Sequence, residues 1–275
     1  MGLLEGAKAV ITGGGASVGR SCVELFVKEG AQVAFFEIRD ERAREVVNST
    51  GALGYTLDIA DKSAVAAAMT DAAEKMGGIT VLVNVASQGG MNRVHETPDD
   101  ELDRMIDVNL KGNYYTTRAA IPYMLKAGKG SIVQFSTVGA FRPGYSEGSY
   151  CAAKAGQFTL SYLCAMEYSP VIRSNVIAAG WIEDSPTSRF IQKVPQWIDP
   201  IMADHPMHRA MKSMELAKVC LFLASDMSSA INGATIVADG GQTRTQPNLN
   251  ATLKKVLEAA NSRSTRQSAD RGSAG

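Results

Sequence analysis

Short runs of apolar residues alternate with longer stretches of helical period along most of the chain. "KAVIT" precedes "VGRSCVELFVKEG", in which Val18, Cys22, Leu25 and Phe26 share one helical face. "AQVAFFE" precedes "RDERAREVVNST", and "LGYTLD" precedes "KSAVAAAMTDAAEKMG". "ITVLVN" leads to the long run "TPDDELDRMIDVNLKGNYYTTRAAIPYMLKAG", whose Thr97, Pro98 and acidic residues Asp99 to Glu101 mark a helix start. "GSIVQFST" leads to "SYCAAKAGQFTLSYLCAMEYS", and "RSNVIAA" to an irregular stretch; "SMELAKVCLFLASD" and "ATIVADGG" close the pattern.

The strand-like runs are almost continuously apolar and rich in Val and Ile, as strands covered on both faces are. Strand and helix alternating at this spacing predict an α/β fold: a doubly wound parallel sheet of about seven strands with right-handed crossovers. One domain over residues 1–243 accommodates it. Residues 182–212 stand apart, with four prolines and the apolar Phe190, Ile191, Val194, Trp197, Ile198, Ile201 and Met202. Residues 244–275 are small and polar and read as a flexible tail.

Composition narrows the function. Apolar residues make up 45% and charged residues 20%, a globular balance, and 28 Lys+Arg against 28 Asp+Glu leave no basic footprint for nucleic acid or an anionic membrane. Cys22, Cys151, Cys164 and Cys220 have no metal or disulfide spacing and read as buried thiols; His95, His205 and His208 complete no ligand set. The first residues carry no charged leader, and no apolar run is long enough to span a bilayer. These features predict a reduced, cytoplasmic protein.

Chemistry concentrates at strand ends. After the first strand comes "TGGGASVGRS", where Gly13, Gly14 and Gly15 permit a tight turn and the following helix aims free amides at an anion such as a pyrophosphate. Glu37, about 20 residues on, sits where an acid bonds both hydroxyls of an adenosine ribose and repels a 2′-phosphate, which favours NAD(H) over NADP(H). Arg39 lies close enough to temper that preference. Asp58 closes the third strand, either as an adenine contact or as an ordinary helix cap. Tyr150 and Lys154 stand four apart in "GSYCAAKAG", on one helical face. A phenol loses its proton near pH 10, and a cation beside it favours the phenolate, so this pair is a candidate acid/base.

Seven stretches in order resemble the short-chain dehydrogenase/reductase family over residues 5 to about 243: "TGGGASVG", "NVAS", "DVNLKG", "GSIVQFST", "YCAAK", "AAGWIED" and "FLASDMSSAINGATIVADGG". The resemblance implies a Rossmann-type NAD(H) oxidoreductase acting on a secondary alcohol or ketone. In it Tyr150 is the general acid/base, Lys154 holds the nicotinamide ribose, Thr137 bonds the substrate oxygen and Asn109 keeps a water near Lys154. Ser136 is the neighbouring alternative to Thr137. Cofactor contacts are implied at Gly13, Gly15, Ser17, Val18, Gly19, Glu37, Asp58, Ile59, Asn84, Ala86, Gly180 and Ile182, besides Tyr150 and Lys154. Residues 182–212 resemble the family's substrate lid, and their apolar character points to an apolar or ring-bearing substrate. Arg93, His95, Arg142 and Tyr145 are candidates for recognising a polar group on it. A homotetramer is implied through the helices carrying Asn109 and Tyr150.

The chain departs from the family pattern at several positions. Ser17 replaces a glycine of the loop, Ser87 replaces glycine in "NVAS", Ala179 replaces proline, and Asp184 stands where a threonine often meets the nicotinamide amide. These departures are the support for an alternative, an NAD(H)-binding sensor or structural partner with little turnover.

Overall fold

The computed structural model describes residues 2–185, 188 and 205–244. Seven parallel strands form one sheet in the order β3-β2-β1-β4-β5-β6-β7. They are β1 (Lys8–Thr12), β2 (Gln32–Glu37), β3 (Leu53–Thr56), β4 (Val81–Asn84), β5 (Gly130–Thr137), β6 (Ile172–Ala179) and β7 (Thr235–Ala238). Among the described residues the α-helices are α1 (Ser17–Lys28), α2 (Asp40–Thr50), α3 (Lys62–Met76), α4 (Asp99–Ile106), α5 (Asn113–Ala127), α6 (Gly148–Glu167) and α7 (Ser213–Ala224). The doubly wound parallel sheet expected from the apolar pattern is the one observed.

The sheet has apolar cores on both faces. Val18, Cys22, Val23 and Phe26 of α1 pack with Leu216, Cys220 and Leu223 of α7 on one side. Met69 and Met76 of α3, Ile121 and Met124 of α5 and Leu160 of α6 cover the other. Helix ends follow local chemistry: the Asp61 carboxylate accepts from the amides of Ser63 and Ala64 (2.8 and 3.0 Å) before α3, and α2, α3 and α5 stop at left-handed Gly51, Gly77 and Gly128.

Two features position the site. Strand order reverses between β1 and β4, which opens a crevice at their carboxyl ends, where α/β sheets bind ligands. The long helix read from "TPDDELDRMIDVNLKGNYYTTRAAIPYMLKAG" is interrupted by a π-turn at Asp107–Gly112 between α4 and α5. Such a turn inserts an extra residue and re-aims the side chains after it. It falls on the stretch holding Asn109.

Candidate functional site

The glycine loop lies on the β1 side of the crevice. The amides of Gly13 and Gly14 donate to the Phe36 carbonyl (2.7 and 3.2 Å), tying the loop to β2. Gly13 has φ +70°, and a Cβ on Gly19 would stand 2.0 Å from the Gly13 carbonyl oxygen, so no side chain fits where α1 meets the turn. Ala16, which caps α1, gives no side-chain acceptor to its first amides. A loop this bare of side chains, ending in free helix amides, fits the pyrophosphate of a dinucleotide.

Glu37 is buried against this loop. Its carboxylate accepts from the amides of Gly15 (3.0 Å) and Arg39 (3.1 Å). An acid at the end of β2 is therefore held beside the glycines, as its spacing in the sequence predicted. Val18 and Gly19 are buried residues of the first turn of α1. Ala86 lines the β4 edge, where it faces Gly13, and its amide donates to Thr12 Oγ1 (3.0 Å).

The other expected cofactor contacts divide into groups. Asp58 accepts from the Ala60 amide (2.9 Å), as a turn-capping aspartate does, and from Arg104 (2.6 Å). Ile59 is a core side chain against Gly112. Asn84 turns fully inward, donating to Thr117 (3.1 Å) and Gln134 (3.2 Å) and accepting from Thr116 (2.8 Å). Gly180 follows β6 against Asp239, and Ile182 pairs with Met211 in an isolated bridge.

The β5 side carries the ionisable pair. Lys154 is 1% exposed and donates to the Phe135 carbonyl (2.8 Å). Burial pulls its ammonium down to about 7. Tyr150, one turn earlier on α6, is pushed well above the ordinary phenol value, first by burial and then by Cys151 and the Glu147 carboxylate. The phenol is thus protonated at neutral pH, and neither group sets the other's proton affinity in the unloaded protein: burial dominates both. Cys151 and the Gly144 amide both donate to Glu147, and burial together with that carboxylate raises the Cys151 thiol to about 12, which keeps it inert.

Thr137 and Ser136 separate by direction. Ser136 is buried and donates to the Lys154 carbonyl (3.1 Å), stitching α6 to β5. Thr137 is partly exposed; its oxygen accepts from the Gly139 amide (3.1 Å), which leaves its hydroxyl proton for another acceptor.

Asn109 is held through its side-chain amide and its backbone carbonyl. Its side chain accepts from the Gln88 amide (2.9 Å) and donates to the Gln88 carbonyl (2.8 Å), which pins the loop after β4. Its carbonyl accepts from Gln157 (2.8 Å) and Asn113 (2.9 Å). Two donors already meet the carbonyl of the residue that the resemblance assigned to holding a water.

Gln157 and Asn113 were not singled out from the sequence. The spacing of Tyr150, Lys154 and Gln157, at i, i+4 and i+7 on one helix, was the available signal. Ser213 was missed too; its hydroxyl meets those of Ser17 (3.0 Å) and the Asp184 carboxylate, which also accepts from Ser17 (2.9 Å). Two departures noted separately in the sequence, Ser17 and Asp184, are thus one contact.

At the rim, Arg93 pairs with Glu96 (3.1 Å) and His95 lies 3.5 Å from the same acid, while Arg142 donates to the Thr243 carbonyl (2.6 Å). Tyr145 is 82% exposed. The apolar residues Phe190, Ile191, Val194, Trp197, Ile198, Ile201 and Met202, and the tail from 245 onward, lie outside the described residues. All four cysteines are free and buried, and no group of three or more potential metal ligands occurs among the described residues.

The family model described as "Enoyl-(Acyl carrier protein) reductase" matches residues 13–243. An oxidoreductase of Thermotoga maritima is 33% identical over 249 residues, covering 88% of this chain and 97% of its own. A 3-oxoacyl-(acyl-carrier-protein) reductase of the same organism is 33% identical over 244 residues, covering 86% and 98%. Among solved structures, a Sinorhizobium meliloti protein described as a short-chain alcohol dehydrogenase superposes with a TM-score of 0.83 at 29% identity, covering 88% of this chain and 98% of its own.

Proposed function

The chain belongs to the short-chain dehydrogenase/reductase family of nicotinamide-dependent oxidoreductases, and we propose that it moves a hydride between NAD(H) and a secondary alcohol or ketone. The observation that carries this reading is the placement of Lys154, buried and donating to the Phe135 carbonyl of β5 one turn after Tyr150 on α6, in a sheet whose glycine loop fits a pyrophosphate.

The nicotinamide supplies the hydride in reduction and accepts it in oxidation. The glycine loop and the free amides of α1 hold the diphosphate, and Glu37 accepts from the ribose hydroxyls and disfavours a 2′-phosphate. Tyr150 gives its proton to the carbonyl oxygen in reduction and takes the hydroxyl proton in oxidation. In the unloaded protein burial raises the phenol's pKa, the opposite of the lowering expected from a neighbouring lysine, so Tyr150 starts as a protonated and weak acid. Thr137 donates to the same substrate oxygen and holds it toward the phenol. Lys154 grips the nicotinamide ribose and, when protonated, lowers the phenol's affinity for its proton so that oxidation can run.

The substrate is apolar or ring-bearing on this reading. Met91, Val94, Phe141 and Tyr145, all more than half exposed, lie on the two segments joined by the Asn92–Glu147 bridge and supply apolar surface for such a substrate. The Thermotoga relative named for 3-oxoacyl groups is in keeping with a ketone. A cytoplasmic location is part of the same proposal. It assembles as a homotetramer through α5 and α6, whose outward Tyr114, Leu163 and Met166 are at least 41% exposed.

A panel of cyclic ketones, acyl ketones and sugars, with NADH oxidation followed optically, tests the proposal. Turnover of apolar ketones at the expense of NADH is expected. NADH binding with no turnover on any of them would leave a cofactor-binding sensor instead, and preference for sugars or small polyols would overturn the substrate class.

A further inference from the structure

Asp184 stands where two helices begin. Its carboxylate accepts from Ser17, the first residue of α1, and from Ser213, the first residue of α7. The two hydroxyls also meet each other (3.0 Å). The helices pack together through the core, so their amino-terminal ends, each carrying partial positive charge, converge on this one acid. No salt bridge among the described residues reaches it.

Ser17 has φ +49°, a left-handed conformation that costs a serine roughly 1–2 kcal/mol. Its hydroxyl donates to Asp184 at the end of the glycine loop, where α1 begins. A diphosphate drawn to those amides enters the field of a negative charge one hydroxyl away.

We propose that Asp184 is an affinity-setting residue: an internal anion that occupies the positive end of α1 and competes with the diphosphate of the cofactor. This rests on reading the glycine loop as the diphosphate site. Binding is weakened for every ligand that brings a diphosphate, whatever the state of its nicotinamide, and dinucleotide release is correspondingly fast. The charge carries the effect, and the hydroxyls of Ser17 and Ser213 hold it in place.

The test compares the full chain with Asp184→Asn, which keeps the hydrogen-bonding shape and removes the charge. Binding of NADH, of ADP-ribose and of adenosine is measured by fluorescence and calorimetry. At low salt, NADH and ADP-ribose are expected to bind Asp184→Asn at least tenfold more tightly, about 1.4 kcal/mol, with adenosine unchanged. The gain should shrink at about 0.5 M salt, where screening is short-ranged. Ser17→Gly, which keeps the carboxylate, should show no such gain. If Asp184→Asn fails to fold, Asp184→Thr carries the same expectation.

Equal or weaker NADH binding by the folded variant, a gain that salt does not reduce, or an equal gain in Ser17→Gly would overturn the proposal while leaving the cofactor site intact. Failure of both wild type and variant to bind NADH or ADP-ribose would remove the diphosphate reading and this inference with it.

Discussion

The two sides of the crevice are built from different materials. On the β1 side the contacts are made by backbone: glycine amides, a bare turn and the first amides of α1, with Glu37 as the main side chain. On the β5 side they are made by buried polar side chains, including Asn84, Asn109, Asn113, Thr117, Gln134, Gln157 and Lys154. Backbone donors have fixed positions and no titration, which suits a constant anionic group. Side chains in a low dielectric have shifted proton affinities, which suits proton transfer. One side recognises by shape, and the other sets protonation.

That contrast can be broken from either side. The largest effect belongs to Lys154, whose buried ammonium carries a folded-state pKa near 7 against an ordinary 10.5. A base depressed in this way destabilises the fold fully below pH 7, and the penalty is relieved as pH rises toward the unfolded value. Lys154→Met is therefore expected to stabilise the protein by up to about 5 kcal/mol below pH 7. The gain should fade between pH 7 and 10.5 in paired denaturant titrations; a constant difference across that range would mean that the lysine is not charged and buried as described.

On the β1 side the sensitivity is steric. Gly19→Ala puts a methyl 2.0 Å from a backbone oxygen that cannot swing away. A cost of about 2–3 kcal/mol in stability is expected, with loss of dinucleotide binding, and no dependence on pH over the neutral range. Thermal melts with and without NADH check both; an unaltered variant would show that the loop is looser than its contacts imply.

Glu37→Gln gives a smaller effect and sharpens the contrast. Removing the charge should raise the NADPH-to-NADH affinity ratio about tenfold, with turnover of bound enzyme unchanged. An unchanged ratio would show that Glu37 takes no part in choosing the cofactor.

The same contrast explains what was legible in the sequence. The sheet was readable because its strands are apolar on both faces, and the glycine loop because tight backbone turns demand particular residues. The positions of Glu37 at the end of β2 and of Tyr150 and Lys154 four apart on α6 were readable from spacing. Ser17, Asp184 and Ser213 were not readable as a cluster: Ser17 and Asp184 lie 167 positions apart and Ser17 and Ser213 lie 196 apart, and only the folded chain brings them together. Asn113 and Gln157 were not singled out, because nothing in the hydrophobic period marks a buried amide on a helix. It is the π-turn, which leaves no mark in hydrophobic period, that turns Asn109 and its two amide partners into one buried unit.

Hydride transfer gated by the Tyr150 proton is tested most directly by deuteride transfer from 4-deuterated NADH to a ketone substrate, comparing wild type with Tyr150→Phe at matched cofactor occupancy. The phenyl variant should bind NADH as wild type does and transfer deuterium about 10²–10⁴-fold more slowly. Transfer at the wild-type rate by a fully loaded Tyr150→Phe protein would contradict the role given to the phenol.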